Sequence, residues 1–221
     1  RYFHWNPEQR VAHPGVTPDE NCLCRVLFAT RGAAARRNLT ATRPMTILHG
    51  VFIEIMGLGV LLAGPSGVGK SELALELLGR GHRLVADDAG EFALDTAGRL
   101  IGRCPPLLAG FLEARSLGIL NVEKMFGARS RCERCALDLV IRLQFRGDAQ
   151  MQALERLEGR RSMVRILGVE VAEISIPIRL GHNLAVLVEV ACRDHKLRQT
   201  GYRADEDFSA RQLKAIQNPD T

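Results

Sequence analysis

Residues 57–88 read GLGVLLAGPSGVGKSELALELLGRGHRLVADD, and within them Gly64, Pro65, Ser66, Gly67, Val68, Gly69, Lys70 and Ser71 fit the P-loop pattern G-x-x-x-x-G-K-[ST] at every position. The flanks agree with the motif. An apolar run, Val60-Leu61-Leu62-Ala63, leads in as a strand, and Leu73, Ala74, Leu77 and Leu78 follow at helical spacing. Strand, glycine loop and helix start are what a phosphate chain needs. Glycines let the backbone curl with its N–H groups inward, and the first helical turn adds donors and a partial positive charge. In such a loop Lys70 meets the β- and γ-phosphates of ATP and the Ser71 hydroxyl ligates Mg²⁺, whereas a turn that binds nothing needs neither residue.

The helix is expected to end at Gly79 or Gly81, and residues 82–86 (HRLVA) read as a second strand running into Asp87-Asp88. A strand-helix-strand crossover predicts parallel strands in one sheet with ligands beyond their carboxyl ends, so Asp87 and Asp88 should emerge beside the glycine loop. Two adjacent carboxylates there can divide labour, one near the metal and one accepting a proton from an attacking hydroxyl. The same spacing equally serves a loop or an N-cap pair.

Outward from this unit, Ile47, Val51, Ile53 and Ile55 at alternate positions, followed by Gly57-Leu58-Gly59, predict a hairpin that returns into the loop strand. His49 reads by itself as a strand histidine. Downstream, residues 91–94 read as a strand, 95–98 as a turn, and Cys104-Pro105-Pro106 as a break before a helix over 107–115. Glu113 and Arg115 close that helix, by composition a surface ion pair. Leu137, Leu139, Ile141, Leu143 and Phe145 alternate through a half-buried strand, and residues 152–161 read as helix-like or irregular. Ile174, Ile176 and Ile178 mark another strand, in which Pro177 points to an edge or a bulge. Asn183 is placed to cap a helix carrying Leu184, Leu187, Val188 and Ala191 on one side, and a last helix over 207–216 shows Phe208, Leu213 and Ile216.

Composition narrows the classes. At 221 residues and 46% hydrophobic the chain suits one well-cored domain with about forty residues left over. No apolar run approaches the roughly 20 residues of a membrane span, and no signal-peptide core opens the chain, so a cytoplasmic protein is expected. The net charge of +5 comes from thirty basic residues interspersed with twenty-five acidic ones, and only 5% is aromatic, which argues against nucleic-acid binding. Cys22-x-Cys24 lacks the C-x2-C spacing of a zinc site and no histidine pair backs it and Cys132-x-x-Cys135, so the cysteines read as free thiols.

Taken together and in order, His49-Gly50-Val51, the glycine loop with Asp87-Asp88, LEARSLGILN at 112–121, and ILGVEV at 166–171 followed by IPIRLGHNLAVLVEV at 176–190 resemble the bacterial HPr kinase/phosphorylase family. The resemblance runs from about Met45 to the C-terminus. It implies an α/β P-loop kinase core, a mixed sheet flanked by helices related to phosphoenolpyruvate carboxykinase, with residues 45–221 as the catalytic domain and 1–44 as the remnant of an N-terminal domain or linker. The implied activity is ATP- and Mg²⁺-dependent phosphorylation of a serine on HPr, the phosphocarrier of the sugar phosphotransferase system, with a reverse phosphorolysis, in a hexamer. His49, Lys70, Asp87, Asp88 and Arg156 match the family's catalytic positions, and Ser71 and Glu113 its magnesium ligands. Pro177, Ile178, Arg179, Leu180, Gly181 and His182 match the phosphorolysis loop.

Two departures stand out. The family's usual glycine after the signature arginine is Ser116 here, strained if that position needs φ > 0. The loop that commonly ends in arginine ends in His182, and an ordinary histidine, of pKa about 6.5, is mostly neutral at pH 7.5, so weakened phosphorolysis is expected. The rival functions are a P-loop small-molecule kinase or ATPase, and a nucleotide-sensing regulator without turnover.

Overall fold

The spine of the fold is β9 (Arg134–Phe145), the twelve-residue strand anticipated from its alternation. Its start pairs antiparallel with β6 (Leu100–Arg103), while residues 139–145 pair in parallel with β11 (Val169–Ile178). Along residues 137–142 it also pairs in parallel with β3 (Leu58–Ala63). The computed structural model describes residues 44–145, 159–178 and 181–217. Within them the main sheet has nine strands, ordered β1-β5-β6-β9-β3-β2-β4, with β10 (Arg161–Ile166) joined through β11. Here β1 is Met45–His49, β2 Val51–Ile55, β4 Arg83–Ala86 and β5 Ala89–Leu94. The α/β class and mixed sheet flanked by helices are as expected.

Burial on both sides explains the composition of the central strands. One face carries Val51, Ile53, Val60, Leu62, Leu139, Ile141 and Ile174, covered by Leu73, Ala74, Leu77 and Leu78 of α1 (Lys70–Gly79) and by Ala185, Val188 and Cys192 of a later helix. The other holds Phe52, Leu61, Val85 and Val140 against Phe92 and Leu100, with the Phe52 and Phe92 rings 5.0 Å apart. All five residues of β2 are therefore buried, where alternation alone indicated one buried face.

Several expectations are corrected. Residues 47–55 are two strands rather than one: the chain breaks at Gly50, and β1 leaves to pair with β5. The hairpin turn is Met56-Gly57, at φ 52 and 84, with β3 resuming at Leu58, one of the left-handed two-residue turns that suit strand twist. The crossover from β3 through α1 reaches β4 in the same sheet, but β2 lies between them, antiparallel to both. The helix expected over 107–115 is a β-hairpin, β7 (Phe111–Ala114) with β8 (Gly118–Asn121). Leu107, Leu108, Phe111 and Leu112 mimic helical spacing, yet within β7 Leu112 and Ala114 are buried and Phe111 and Glu113 are not, the period-2 pattern of a strand. Ser116 is not among the three described non-glycine residues with positive φ, so the feared strain does not arise.

Short helix α2 (Val122–Phe126) follows the hairpin. Pro177 lies beyond Ile174, the last β11 residue paired with β10, and among the described residues its strand partner there is Gln144 of β9. Asn183 caps α3 (Leu184–Gln199) through Val186 N–H at 3.0 Å, although the buried face is Ala185, Val188 and Cys192 rather than Leu187. In α4 (Ala204–Gln217) no residue is buried, and Phe208, Leu213 and Ile216 are exposed. The four described cysteines are free, and no described group of three or more His, Cys, Asp or Glu side chains could hold a metal ion. No described helix is long and apolar enough to cross a membrane. The region 1–43, Cys22 and Cys24, and most of 152–161 lie outside the described residues.

β9 backbone crowds β3 at Gly59, where an added Cβ would stand 1.8 Å from the Ala136 carbonyl oxygen. The register slips there, and the Asp138 carboxylate accepts the Gly59 N–H at 2.8 Å. Backbone cannot retreat without breaking the parallel pair that carries the glycine loop. Gly59→Ala is expected to destabilise by at least about 3 kcal/mol, read as a lower urea midpoint.

Candidate active site

Beyond the carboxyl end of β3 the chain turns through residues 64–69 into α1, whose N-cap, Gly69 (φ 92), provides no side-chain cap to the first-turn amides. The Lys70 ammonium folds back onto the loop, donating to the carbonyls of Gly64 and Pro65 at 3.0 Å each. Loop, helix start and lysine thus lie together, the combination that suits phosphate oxygens.

The acidic pair arrives from β4, two strand positions away across β2. Asp87 is buried, and its Oδ2 accepts the Glu113 backbone N–H at 2.8 Å. Burial, followed by the charges of Asp88 and Glu113, raises its pKa to about 7, while the Glu113 amide opposes the rise. The chain reverses at Asp88: Ala89 N–H donates to the Asp87 carbonyl at 2.7 Å, and Asp88 takes φ 64. A non-glycine residue held left-handed in a tight turn is a strained position of the kind found at functional sites. The Gly50 N–H donates to the Asp88 carbonyl at 3.2 Å, and His49 lies opposite Ala89 in the β1–β5 register. His49 is therefore beside the acidic turn, exposed at the end of its strand.

The β7–β8 hairpin closes the other side. Leu112 and Ala114 anchor it in the core, which turns Glu113 outward, half-buried, next to Asp87. Arg115 continues past the strand and donates to Ser66 Oγ at 3.2 Å, so hairpin and glycine loop touch. Among the described residues no ion pair joins Glu113 to Arg115, contrary to the compositional reading. Sequence reasoning placed Arg115 in a surface ion pair and missed its contact with the glycine loop. The signal was present in Leu112 and Ala114 alternating with Phe111 and Glu113, but four residues of period 2 are outweighed by the longer helical spacing around them.

The structure thus brings together the glycine loop, Asp87, Asp88, His49 and Glu113. Pro177 and Ile178 end β11, two parallel strands over from β3, at the same edge of the sheet. Gly181 and His182 are exposed just before α3. Arg156, Arg179 and Leu180 lie outside the described residues. An open depression of about 390 Å³, lined by Asp95, Arg99, Ile101, Arg134, Cys135 and Ala136, is a separate feature. It sits at the start of β9, about 30 Å of extended strand from Leu143, the residue beside Gly64.

A magnesium ion fits the donor set. Ser71 offers a hydroxyl and Glu113 a carboxylate, hard oxygens, and Mg²⁺ carried by a nucleotide takes only one or two protein ligands besides water and phosphate. No cage of three acidic or imidazole ligands is needed for that.

Residues 40–212 match the family described as HPr Serine kinase C-terminal domain. The chain is 46% identical over 178 residues to an HPr kinase/phosphorylase of Burkholderia lata, and 45% identical over the same length to one of Paraburkholderia phymatum. Each alignment covers 80% of this chain and 54% of the relative, so the chain spans about half the length of the curated relatives it matches. The solved structure of the Hpr(Ser) kinase/phosphatase from Coxiella burnetii is similar at a TM-score of 0.67 and 34% identity, covering 74% of this chain and 98% of that one.

The buried Asp87 carries a pH signature. Its folded pKa, about 7, lies above the ordinary 3.8, so the folded chain keeps a proton that the unfolded chain releases. Stability is therefore lost as pH rises from about 4 to about 7 and is level above that. Asp87→Asn preserves size and the acceptor for Glu113 N–H but cannot ionise. Without nucleotide or metal, its stability relative to wild type should be about 2 kcal/mol more favourable at pH 8 than at pH 5. Thermal unfolding at the two pH values measures this, and an unchanged difference would remove Asp87 as the titrating group.

Proposed function

The chain belongs to the HPr serine kinase C-terminal domain family, and on that footing we propose that it transfers the γ-phosphoryl group of ATP to a serine hydroxyl of the phosphocarrier protein HPr. The observation that carries this reading is the meeting of the glycine loop, the Asp87-Asp88 turn and Glu113 at one edge of the sheet. Loop amides and Lys70 hold the phosphate chain. Ser71 and Glu113 are the residues that would hold Mg²⁺, which neutralises charge developing between the β- and γ-phosphoryl oxygens. Asp88, exposed on its turn to a degree that buried Asp87 is not, accepts the serine proton. Asp87 fixes the Glu113 backbone, and His49 supports the turn from the neighbouring strand. Arg156 is assigned to the transferring phosphate through the family resemblance. The same reading places residues 45–221 as the catalytic domain, in the cytoplasm, within a hexamer.

Incubation with labelled ATP, Mg²⁺ and HPr should place label on a protein serine. Label released only as inorganic phosphate would mark an ATPase, and ATP binding without transfer a regulator. Asp88→Asn should abolish transfer while leaving ATP binding largely intact, and Lys70→Ala should slow transfer by roughly 10²–10³. Equal loss of nucleotide binding in Asp88→Asn and Asp87→Asn would assign the pair to the metal instead of the proton.

For the reverse direction, His182 stands where the family's loop commonly ends in arginine, whose fixed, permanently charged fork suits phosphate. Phosphorolysis should be weak, and His182→Arg should raise it with little change in forward transfer. If wild type dephosphorylates HPr as fast as His182→Arg, another cation fills that place.

A further inference from the structure

The depression at the start of β9 lies on the β6–β9 ladder. Leu100 and Leu137 turn into the core, so Ile101 and Ala136, register partners and half-buried, face the other way and form its floor. Its volume of about 390 Å³ is within the range that small ligands occupy. Cys135 lines it as well. Burial above all, followed by the charges of Cys132, Asp138 and Glu54, pushes that thiol up to about 12, so it stays neutral and adds no negative charge.

Two arginines stand at opposite ends of this floor. Because β6 and β9 run antiparallel, Arg99, two residues before Ile101, and Arg134, two residues before Ala136, are about 13 Å apart along the strands. Arg99 is held in place by Asp95, whose Oδ2 accepts from Arg99 Nε at 2.8 Å, while Oδ1 accepts the backbone N–H groups of Ala97 and Arg99 at 2.9 and 2.8 Å. Among the described residues the Nη groups of Arg99 meet no acceptor, so the guanidinium is oriented with its outer donors unused. Arg134 differs. Among the described residues its guanidinium meets no carboxylate, whereas Arg83, Arg103 and Arg142 pair with Glu54, Glu91 and Glu173. It also lies opposite Arg103 in the β6–β9 register, and like charges across a ladder are unfavourable. The nearest acids are engaged: Glu91 with Arg103, and Asp138 with the Gly59 N–H.

We propose that this depression is a binding site for a small dicarboxylate, one carboxylate meeting Arg99 and the other Arg134, with the carbon chain lying over Ile101 and Ala136. Planar guanidinium groups match carboxylates in a two-bond fork, and an anion at Arg134 relieves its repulsion with Arg103. The apolar floor selects for a carbon spacer between the charges. Charge selects the acid: two guanidinium groups and the Asp95 carboxylate line the depression, a balance nearer to a dicarboxylate than to a bisphosphate with about −2 on each phosphate. The site is separate from the glycine loop and does not rest on the phosphotransfer reading.

The test is calorimetry on the full chain at fixed ionic strength, with adipate as the probe. Hexanoate, the same carbon chain with one carboxylate, and 1,6-diaminohexane, with positive ends, are the comparisons. Adipate should bind with a Kd of about 1 mM, hexanoate at least about tenfold more weakly, and the diamine not measurably. Arg99→Gln and Arg134→Gln should each weaken adipate binding about tenfold, and thermal melts should show both variants folded, since both side chains are exposed. Either variant by itself suffices for the test. Saturating ATP with Mg²⁺ should not displace adipate, which separates the depression from the glycine loop. No binding heat with adipate up to about 10 mM, equal affinity for hexanoate, displacement by ATP, or unchanged binding in a folded Arg134→Gln or Arg99→Gln would overturn the proposal.

Discussion

The hydrogen bond from the Glu113 amide to the buried carboxylate of Asp87 joins two pieces of chain that secondary structure leaves unconnected. Among the described residues β7 and β8 form a two-stranded sheet of their own, with no ladder to the main sheet. A hairpin that small is marginal in water and needs anchors. Leu112 and Ala114 provide apolar ones, but apolar contacts are non-directional and do not set where Glu113 points. The Asp87 bond does, because moving the hairpin would leave a buried carboxylate with one partner fewer. Every site feature on the hairpin, Glu113 beside the acidic turn and Arg115 over the glycine loop, follows from that placement.

Spacing within the main sheet sets the size of the site. Because β2 is inserted between β3 and β4, the glycine loop and the acidic turn rise from strands about 10 Å apart rather than from neighbours. That interval is of the order of a phosphate chain with an acceptor hydroxyl. β9 makes the arrangement rigid, since its parallel pairing with β3 and with β11 aligns the carboxyl ends of all three strands. The close packing at Gly59 and the double-sided burial of β2 leave that frame no easy motion.

Charge is divided across the same gap. The loop side carries Lys70, the start of α1 and Arg115, while the opposite side carries Asp87, Asp88 and Glu113. Burial pushes Asp87 toward its neutral form, which limits repulsion among three carboxylates gathered in a small volume. The strained turn at Asp88 is held from both sides, by the Gly50 N–H, which donates to the Asp88 carbonyl, and by the continuous β5 strand after it.

What the amino-acid sequence determined by itself was local. The glycine loop, the strand before it and the helix after it lie within about twenty residues, and each is specified by its own turn chemistry and apolar period. The long alternation of β9, the Asn183 cap and the presence of Asp87-Asp88 at a strand end were legible for the same reason, and the family resemblance rested on the order of such segments. Pairing between distant segments was not legible. That β2 sits between β3 and β4, that β7 is half of a hairpin where a helix over 107–115 was expected, that Asp87 is buried and that Arg115 faces Ser66 instead of Glu113 were all decided by tertiary packing. A short strand such as β7 has too few residues to outweigh neighbouring helical spacing, and its state is set by the burial of Leu112 and Ala114 against residues far along the chain.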